Sequence, residues 1–287
     1  MIPVFAKPFH YQIAWRSGSQ HMGGHPGLQA GVGLEFKRNV SLIDYPDARR
    51  IDVTRTIRDL ADQVHVRTFN EKTPVNVCAL CDLSASMQFR GRASKMELAA
   101  EIAGSIAASA HETGDAFSLV GFNSTVRQEW TTRPSEHMHD AFTLIEKMRA
   151  FKPTQAGAQG VLDSLLHLGR QRSLVFLVSD FHMPLALIEK ALNLLSRHQV
   201  VPVVVWDSGE YRQLPRFGLS TVVDPETGEE RTLFFRDTLR RKFIELYESR
   251  RETLRALFLK YQSPPCFVED KFNPAEITAY FQRYARV

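Results

Sequence analysis

The sequence predicts an α/β protein: a doubly wound, mostly parallel sheet preceded by an N-terminal β-rich extension. Three observations carry this. From Val75 onward apolar runs alternate with amphipathic helical stretches, the pattern of parallel strands joined by helices. Two of those runs, residues 75–81 and 173–179, are almost continuously hydrophobic, as strands covered on both faces must be. Residues 1 to about 70 differ: they are rich in Gly, Pro, His and Arg and hold no long helical pattern. The expected division is therefore 1–72 and 73–287.

In the first region, 11–15 and 64–69 read as short strands. In the second, 75–81 is the first buried strand. Ser94 then caps a helix over 94–111, with Glu97 three residues on completing a capping box. Ala99, Ala100, Ala103, Ala107 and Ala108 keep that helix slim enough to lie close on a sheet. Strands follow at 117–122 and 126–131, the latter polar enough for an edge, and helices at 137–149 and 159–168. Residues 173–179 form a second buried strand and 185–197 a helix. A strand at 203–206 is expected to start after Pro202, which cannot donate to a ladder. Residues 221–223 and 231–235 flank the turn-rich stretch Asp224 to Gly228 and predict a hairpin. A long charged helix over 237–261, a strand at 266–269 and a helix at 274–284 end the chain.

Composition excludes several classes. The chain has 287 residues, of which 44% are hydrophobic and 24% charged, enough for one large domain or two modest ones. No apolar stretch reaches the roughly 18 residues a membrane span needs. The N-terminus lacks the basic start and apolar core of a secretory signal. Three cysteines cannot build a disulfide framework and suit a reducing cytoplasm, the expected location. The net charge of +4 is mild and no Lys/Arg block stands out, so nucleic-acid binding is not favoured.

The chemistry concentrates at strand ends. Asp82-Leu83-Ser84-Ala85-Ser86 follows the first buried strand, so one carboxylate and two hydroxyls can turn toward one point. Asp180 ends a second buried strand, and Thr154 lies in the loop before a helix. Asp82, Ser84, Ser86, Thr154 and Asp180 together offer hard oxygen donors with only two negative charges. Mg²⁺ or Mn²⁺ is the cation such a set takes, with a position left open for an anionic group. Carboxyl ends of strands are also where open α/β sheets place their sites. The plainer reading is that these Asp and Ser side chains only brace their own turns. His182, two residues beyond Asp180, falls at the rim, as a partner contact or an ordinary loop residue.

These motifs resemble the metal-ion-dependent adhesion site of von Willebrand factor A-type domains, over roughly residues 74–206. The resemblance implies that Ser84, Ser86 and Thr154 touch the metal while Asp82 and Asp180 act largely through water. The preceding stretches Gly31 to Phe36, Asp47 to Asp52 and Val66 to Glu71 are similar to the N-terminal signature of a small bacterial family. Its members are of unknown biochemical role and are encoded beside MoxR-type AAA+ ATPases. Tyr45, Pro46 and Asp47 stand where that signature carries Gly-Asp-Asp, and Val53 stands where it carries Trp. The tail, with Leu214-Pro215, Asp224 to Gly228 and Arg231-Thr232-Leu233, resembles the soluble member of methanol-oxidation gene clusters. The resemblance implies a cytoplasmic adaptor, not an enzyme, that grips an acidic side chain of a partner. The implied partner is a MoxR-type ATPase, and the implied role is maturing or metal-loading a client enzyme. In the narrower match the client is methanol dehydrogenase.

Other features carry less. Cys78 and Cys81 are three apart in a strand and face opposite ways, which excludes converging sulfurs. His21, His25, His137 and His139 lack zinc-ligand spacing. Gly31-x-Gly33 is a poor dinucleotide fingerprint, and no phosphate-binding G-x-x-x-x-G-K-[ST] occurs. Two alternatives remain: metal-assisted phosphate-ester hydrolysis at the same oxygens, with His182 the nearest base, and nucleic-acid binding through the basic-leaning helix 237–261, whose mixed charges more often mark a solvated face.

Overall fold

The structure is a computed structural model that describes residues 2–15, 25–31, 35–44, 46–59, 61, 63–212, 214–215, 217–223 and 230–284. His21 and the turn 224–228 lie outside the described residues. The chain divides into two units: Trp15–Val75, and a larger one made of Met1–Ala14 with Asn76–Val287. Residues 1–14, which the sequence groups with the β-rich region, thus belong with the α/β unit.

In the smaller unit, β1 (His25–Gly31), β2 (Glu35–Ser41) and β3 (His65–Thr73) form an antiparallel sheet in the order β1-β3-β2. The short helix α1 (Val53–Ile57) is capped by Asp52, whose side chain accepts from Arg55 N.

The larger unit is built on β4 (Asn76–Asp82), with α2 (Lys95–Thr113), β5 (Ala116–Phe122), β6 (Val126–Thr131), α3 (His139–Arg149) and α4 (Gly160–Ser164) following it. Then come β7 (Ser173–Ser179), α5 (Leu185–Leu194), β8 (Gln199–Trp206), the hairpin β9 (Gly218–Val223) and β10 (Glu230–Phe235), α6 (Asp237–Lys260), β11 (Cys266–Glu269) and α7 (Pro274–Tyr284). The main sheet has the order β11-β8-β7-β4-β5-β6, with every pair parallel except β5–β6. This is the expected doubly wound α/β fold. The chain leaves β4 toward β5 and later returns to β4's other side as β7, so the order reverses between β4 and β7. Such a reversal is where doubly wound sheets place their sites, at the carboxyl ends of the strands.

Burial follows from the pattern. β4 is buried from Val77 to Asp82 and β7 along its whole length. Cys78, Leu80, Val175, Leu177 and Val204 share one core face with Ile188, Leu192, Leu254 and Phe258. On α2, Ala99, Ala100, Ala103 and Ala107 have no exposed surface. Gly104 lets the N-terminal segment lie close: a Cβ there would stand 2.8 Å from the Phe5 ring. Ser94 caps α2 by accepting from Glu97 N at 3.3 Å, and Gly114 ends it at φ 75°. The Glu97 carboxylate reaches Arg90 instead, at 3.5 Å.

Several expectations need correction. Residues 11–15 are not a strand; Phe9 and Tyr11 are buried anchors. Phe9 packs edge-on to Phe176 at 5.9 Å, and its N–H donates to Ser109 Oγ at 2.8 Å, so side chains do the work of a ladder. The strand expected at 203 starts at Gln199 and includes Pro202. β11 pairs only from Val203 onward, so β8 is still an edge where Pro202 sits. That early start shortens the preceding helix, which ends at Leu194. The helix expected over 159–168 is one short α-turn, Gly160–Ser164, continued by the 3₁₀ turn Leu165–His167.

Candidate metal site at the strand ends

Asp82 is the last residue of β4 and is buried. Its Oδ1 accepts from Ser84 N at 2.9 Å, and its Oδ2 accepts from Ser179 Oγ, at the end of β7, at 2.6 Å. The two strand ends are thereby tied together. Ser84 is extended (φ −71°, ψ 163°) and starts a short 3₁₀ turn, Ala85–Gln88. The turn brings Ser84 Oγ and Ser86 Oγ to 3.1 Å, both buried.

The loop bearing Thr154 is fastened to this turn. Ala85 N donates to Gln155 O at 2.9 Å, and Asn123 Nδ2, just beyond β5, holds Gln155 Oε1 at 2.8 Å. Thr154 itself is exposed. Asp180 follows β7 and is buried; its Oδ1 accepts from His182 N at 3.1 Å. The next residue, Phe181, holds a left-handed φ of 53°, strained for a bulky side chain. Arg250 from α6 clamps that strained segment, donating to Phe181 O and Met183 O at 2.6 Å each.

A lysine the sequence reading passed over sits at the centre. Lys95 Nζ lies 2.9 Å from Asp180 Oδ2, 2.5 Å from Glu210 Oε1 and 3.4 Å from Ser86 O, with its side chain fully buried. Glu210 Oε2 in turn faces His182 Nε2 at 3.8 Å. His182 lies parallel to Trp206, ring centres 6.3 Å apart, and edge-on to Tyr247 at 5.7 Å. A signal for Lys95 existed. It is the first residue of its helix, where the positive end of the dipole disfavours a cation. Asp207 was also missed. Buried after β8, it accepts backbone N–H groups of Gly91, Arg92, Ala93 and Gly209 and so fixes the loop between the serine turn and α2.

The two aspartates are driven apart electrostatically. Burial, and then the nearby Asp180 charge, push Asp82 up to about 7 against the Ser179 and Ser84 hydrogen bonds. Burial also opposes ionisation of Asp180, but Lys95, His182 and their hydrogen bonds outweigh it and hold Asp180 well below the usual carboxylate range.

The donors suit a hard divalent cation. At Mg–O distances of about 2.0–2.1 Å, neighbouring oxygens of an octahedron stand about 2.9 Å apart. The 3.1 Å between Ser84 Oγ and Ser86 Oγ matches such an edge. Both Asp180 oxygens already have donors, which fits a role through water. Among the described residues no group of three or more His, Cys, Asp or Glu is placed to hold a metal.

Fold and site together define a doubly wound α/β protein with a cluster of buried carboxylates and hydroxyls at its sheet switch point. The chain belongs to the family described as "Protein of unknown function DUF58", whose model matches residues 45–253. It is similar to an uncharacterized protein of Mycobacterium tuberculosis H37Rv, at 26% identity over 228 residues, covering 77% of this chain and 70% of the relative. It is also similar to a Paracoccus denitrificans protein described as "uncharacterized protein in moxR 3'region", at 32% identity over 98 residues, or 34% of this chain and 93% of the relative. Among solved structures it is similar to the conserved hypothetical protein BatB of Bacteroides thetaiotaomicron, with TM-score 0.46 and 14% identity, covering 74% of this chain and 98% of that one. The von Willebrand factor type A protein of Catenulispora acidiphila gives TM-score 0.40 and 11% identity, covering 76% and 43%. Among the described residues, no helix is long and apolar enough to cross a membrane.

Proposed function

We propose that this protein is a metal-dependent, protein-binding adaptor whose strand-end site holds Mg²⁺ or Mn²⁺ and grips an acidic side chain of a partner. The observation that carries the reading is the pair of buried serine hydroxyls, 3.1 Å apart, beside the buried Asp82 and Asp180. Ser84, Ser86 and Thr154 would hold the cation, and Asp82 and Asp180 would orient its waters. Bound there, the cation supplies a Lewis-acidic position for a carboxylate. The nearest candidate base, His182, stacks on Trp206 and faces Glu210, which suits a rim contact better than attack on a substrate.

The partner in this reading is a MoxR-type AAA+ ATPase. Support comes from the Paracoccus denitrificans relative, described by its place 3' of moxR, and from the signature around Asp47 to Asp52. The pair acts in the cytoplasm in maturing a client enzyme; in the narrower form of the reading, that client is methanol dehydrogenase.

Calorimetry with Mn²⁺ tests the site: wild type should bind and Asp82→Ala should not. Pull-down with the ATPase, with and without chelator, tests the adaptor role. An association indifferent to chelator and to Thr154→Ala would overturn the metal bridge, and Mg²⁺-dependent turnover of phosphate esters would replace binding with catalysis.

A further inference from the structure

Lys95 is an expensive residue. Its ammonium is fully removed from water, at the positive end of a 19-residue helix, on a side chain that loses its rotamer freedom. A methionine would fill the same volume without these costs. All three oxygens that compensate it belong to the rim of the serine site: Ser86 O in the turn, Asp180 Oδ2 after β7 and Glu210 Oε1 after β8.

The charge arithmetic shows what the ammonium does. Asp82, Asp180 and Glu210 carry three negative charges when ionised, and Lys95 reduces them to two. Asp180 Oδ2 is engaged by Lys95 and Oδ1 by His182 N–H. Each oxygen keeps a second lone pair, but a metal bound directly at Oδ2 would share that oxygen with the Lys95 ammonium, and like charges so close repel.

We propose that Lys95 is a built-in cation of the strand-end site, which offsets part of its negative charge without metal, holds Asp180 back from direct coordination and thereby sets a weak metal affinity. The inference rests on the reading of this site as one for a divalent cation. It makes the fold independent of metal and leaves the metal readily exchanged, so that an incoming partner carboxylate adds a decisive ligand.

The test uses Mn²⁺ as probe and the full chain. Lys95→Met removes the ammonium but strands two buried carboxylates, so its fold should depend on Mn²⁺. The double variant Lys95→Met/Glu210→Gln keeps the cluster's net charge, and it decides the matter. By calorimetry it should bind Mn²⁺ at least about tenfold more tightly than wild type, since the ammonium that occupies Asp180 Oδ2 has gone. Its thermal midpoint should also rise more on adding Mn²⁺ than that of wild type. A smaller gain than tenfold, or a double variant unfolded with and without Mn²⁺, overturns the inference. If wild type binds, Asp82→Ala does not, and the double variant matches wild type, the adaptor reading stands and the Lys95 inference falls. If only the double variant binds, the Lys95 inference stands and the metal-dependent adaptor falls. If neither binds, both fall.

Discussion

Lys95 Nζ stands 2.9 Å from Asp180 Oδ2, and both side chains are essentially removed from solvent. The carboxylate that closes the oxygen cluster is thus held by an ammonium from a helix 85 residues earlier in the chain. The same contact explains why two aspartates at neighbouring strand ends behave oppositely. Asp82 has hydroxyl and amide donors and is pushed up, whereas Asp180 has a cation and is held down.

Asp207 should be among the most sensitive positions in the larger unit. Asp207→Ala removes the acceptor of four backbone N–H groups, those of Gly91, Arg92, Ala93 and Gly209. Leaving them without a partner should cost about 3 kcal/mol or more. Urea denaturation measures this; a loss under about 1 kcal/mol would mean that water replaces the carboxylate.

Gly160 should not tolerate a side chain. A Cβ there would stand 2.4 Å from Thr125 C and 2.5 Å from Thr125 O, which are backbone atoms that cannot swing aside. Gly160 N is also pinned to Asn123 O at 2.9 Å. Gly160→Ala should destabilise by about 2 kcal/mol through overpacking. Gly169→Ala, where the added methyl meets open space and only the φ of 69° resists, should cost about half as much. Thermal melts of the two variants should rank in that order.

The thiols should be silent in the native protein. Burial pushes Cys78 and Cys266 up to about 12 and raises Cys81 as well, so thiolate is scarce at neutral pH and access is blocked. An aromatic disulfide reagent should label none of the three until denaturant is added. Rapid labelling of one thiol in buffer would show that its strand opens locally.

Acid should weaken the smaller unit through Asp52. Its hydrogen bond from Arg67, at 2.9 Å, and the Arg55 N–H hold it down to about 2. A depressed acid contributes stability above its unfolded pKa of about 3.9, and that contribution is lost as pH falls from there through the folded value. The gap in thermal midpoint between wild type and Asp52→Asn should therefore be constant above pH about 5 and shrink as pH falls toward about 3. A gap that does not change over that range would show that Asp52 contributes nothing through its charge.

Much of the fold is legible because its signals are local. The run 173–179 is β7 residue for residue, and 266–269 and 274–284 are β11 and α7. Continuous apolar runs, a Ser94 cap and a helix-opening Pro274 act within a few residues of themselves. The errors fall where a distant element decides. Residues 11–15 look like a strand until Phe9 and Tyr11 find Phe176 and Phe281 to pack against. Pro202 looks like a strand boundary until β11 is seen to pair only from the next residue.

The sequence by itself determined the strand ends and their chemistry, because a buried run ending in D-x-S-x-S and another ending in Asp180 state both the element and its donors. Which side chains meet there was decided by the tertiary structure. The sheet order brings Ser179 to Asp82 at 2.6 Å and Lys95 to Asp180 and Glu210. A lysine after a helix cap reads as an exposed surface cation. Only packing that strips its water, and supplies two carboxylates in exchange, turns it into the charge around which the site is arranged.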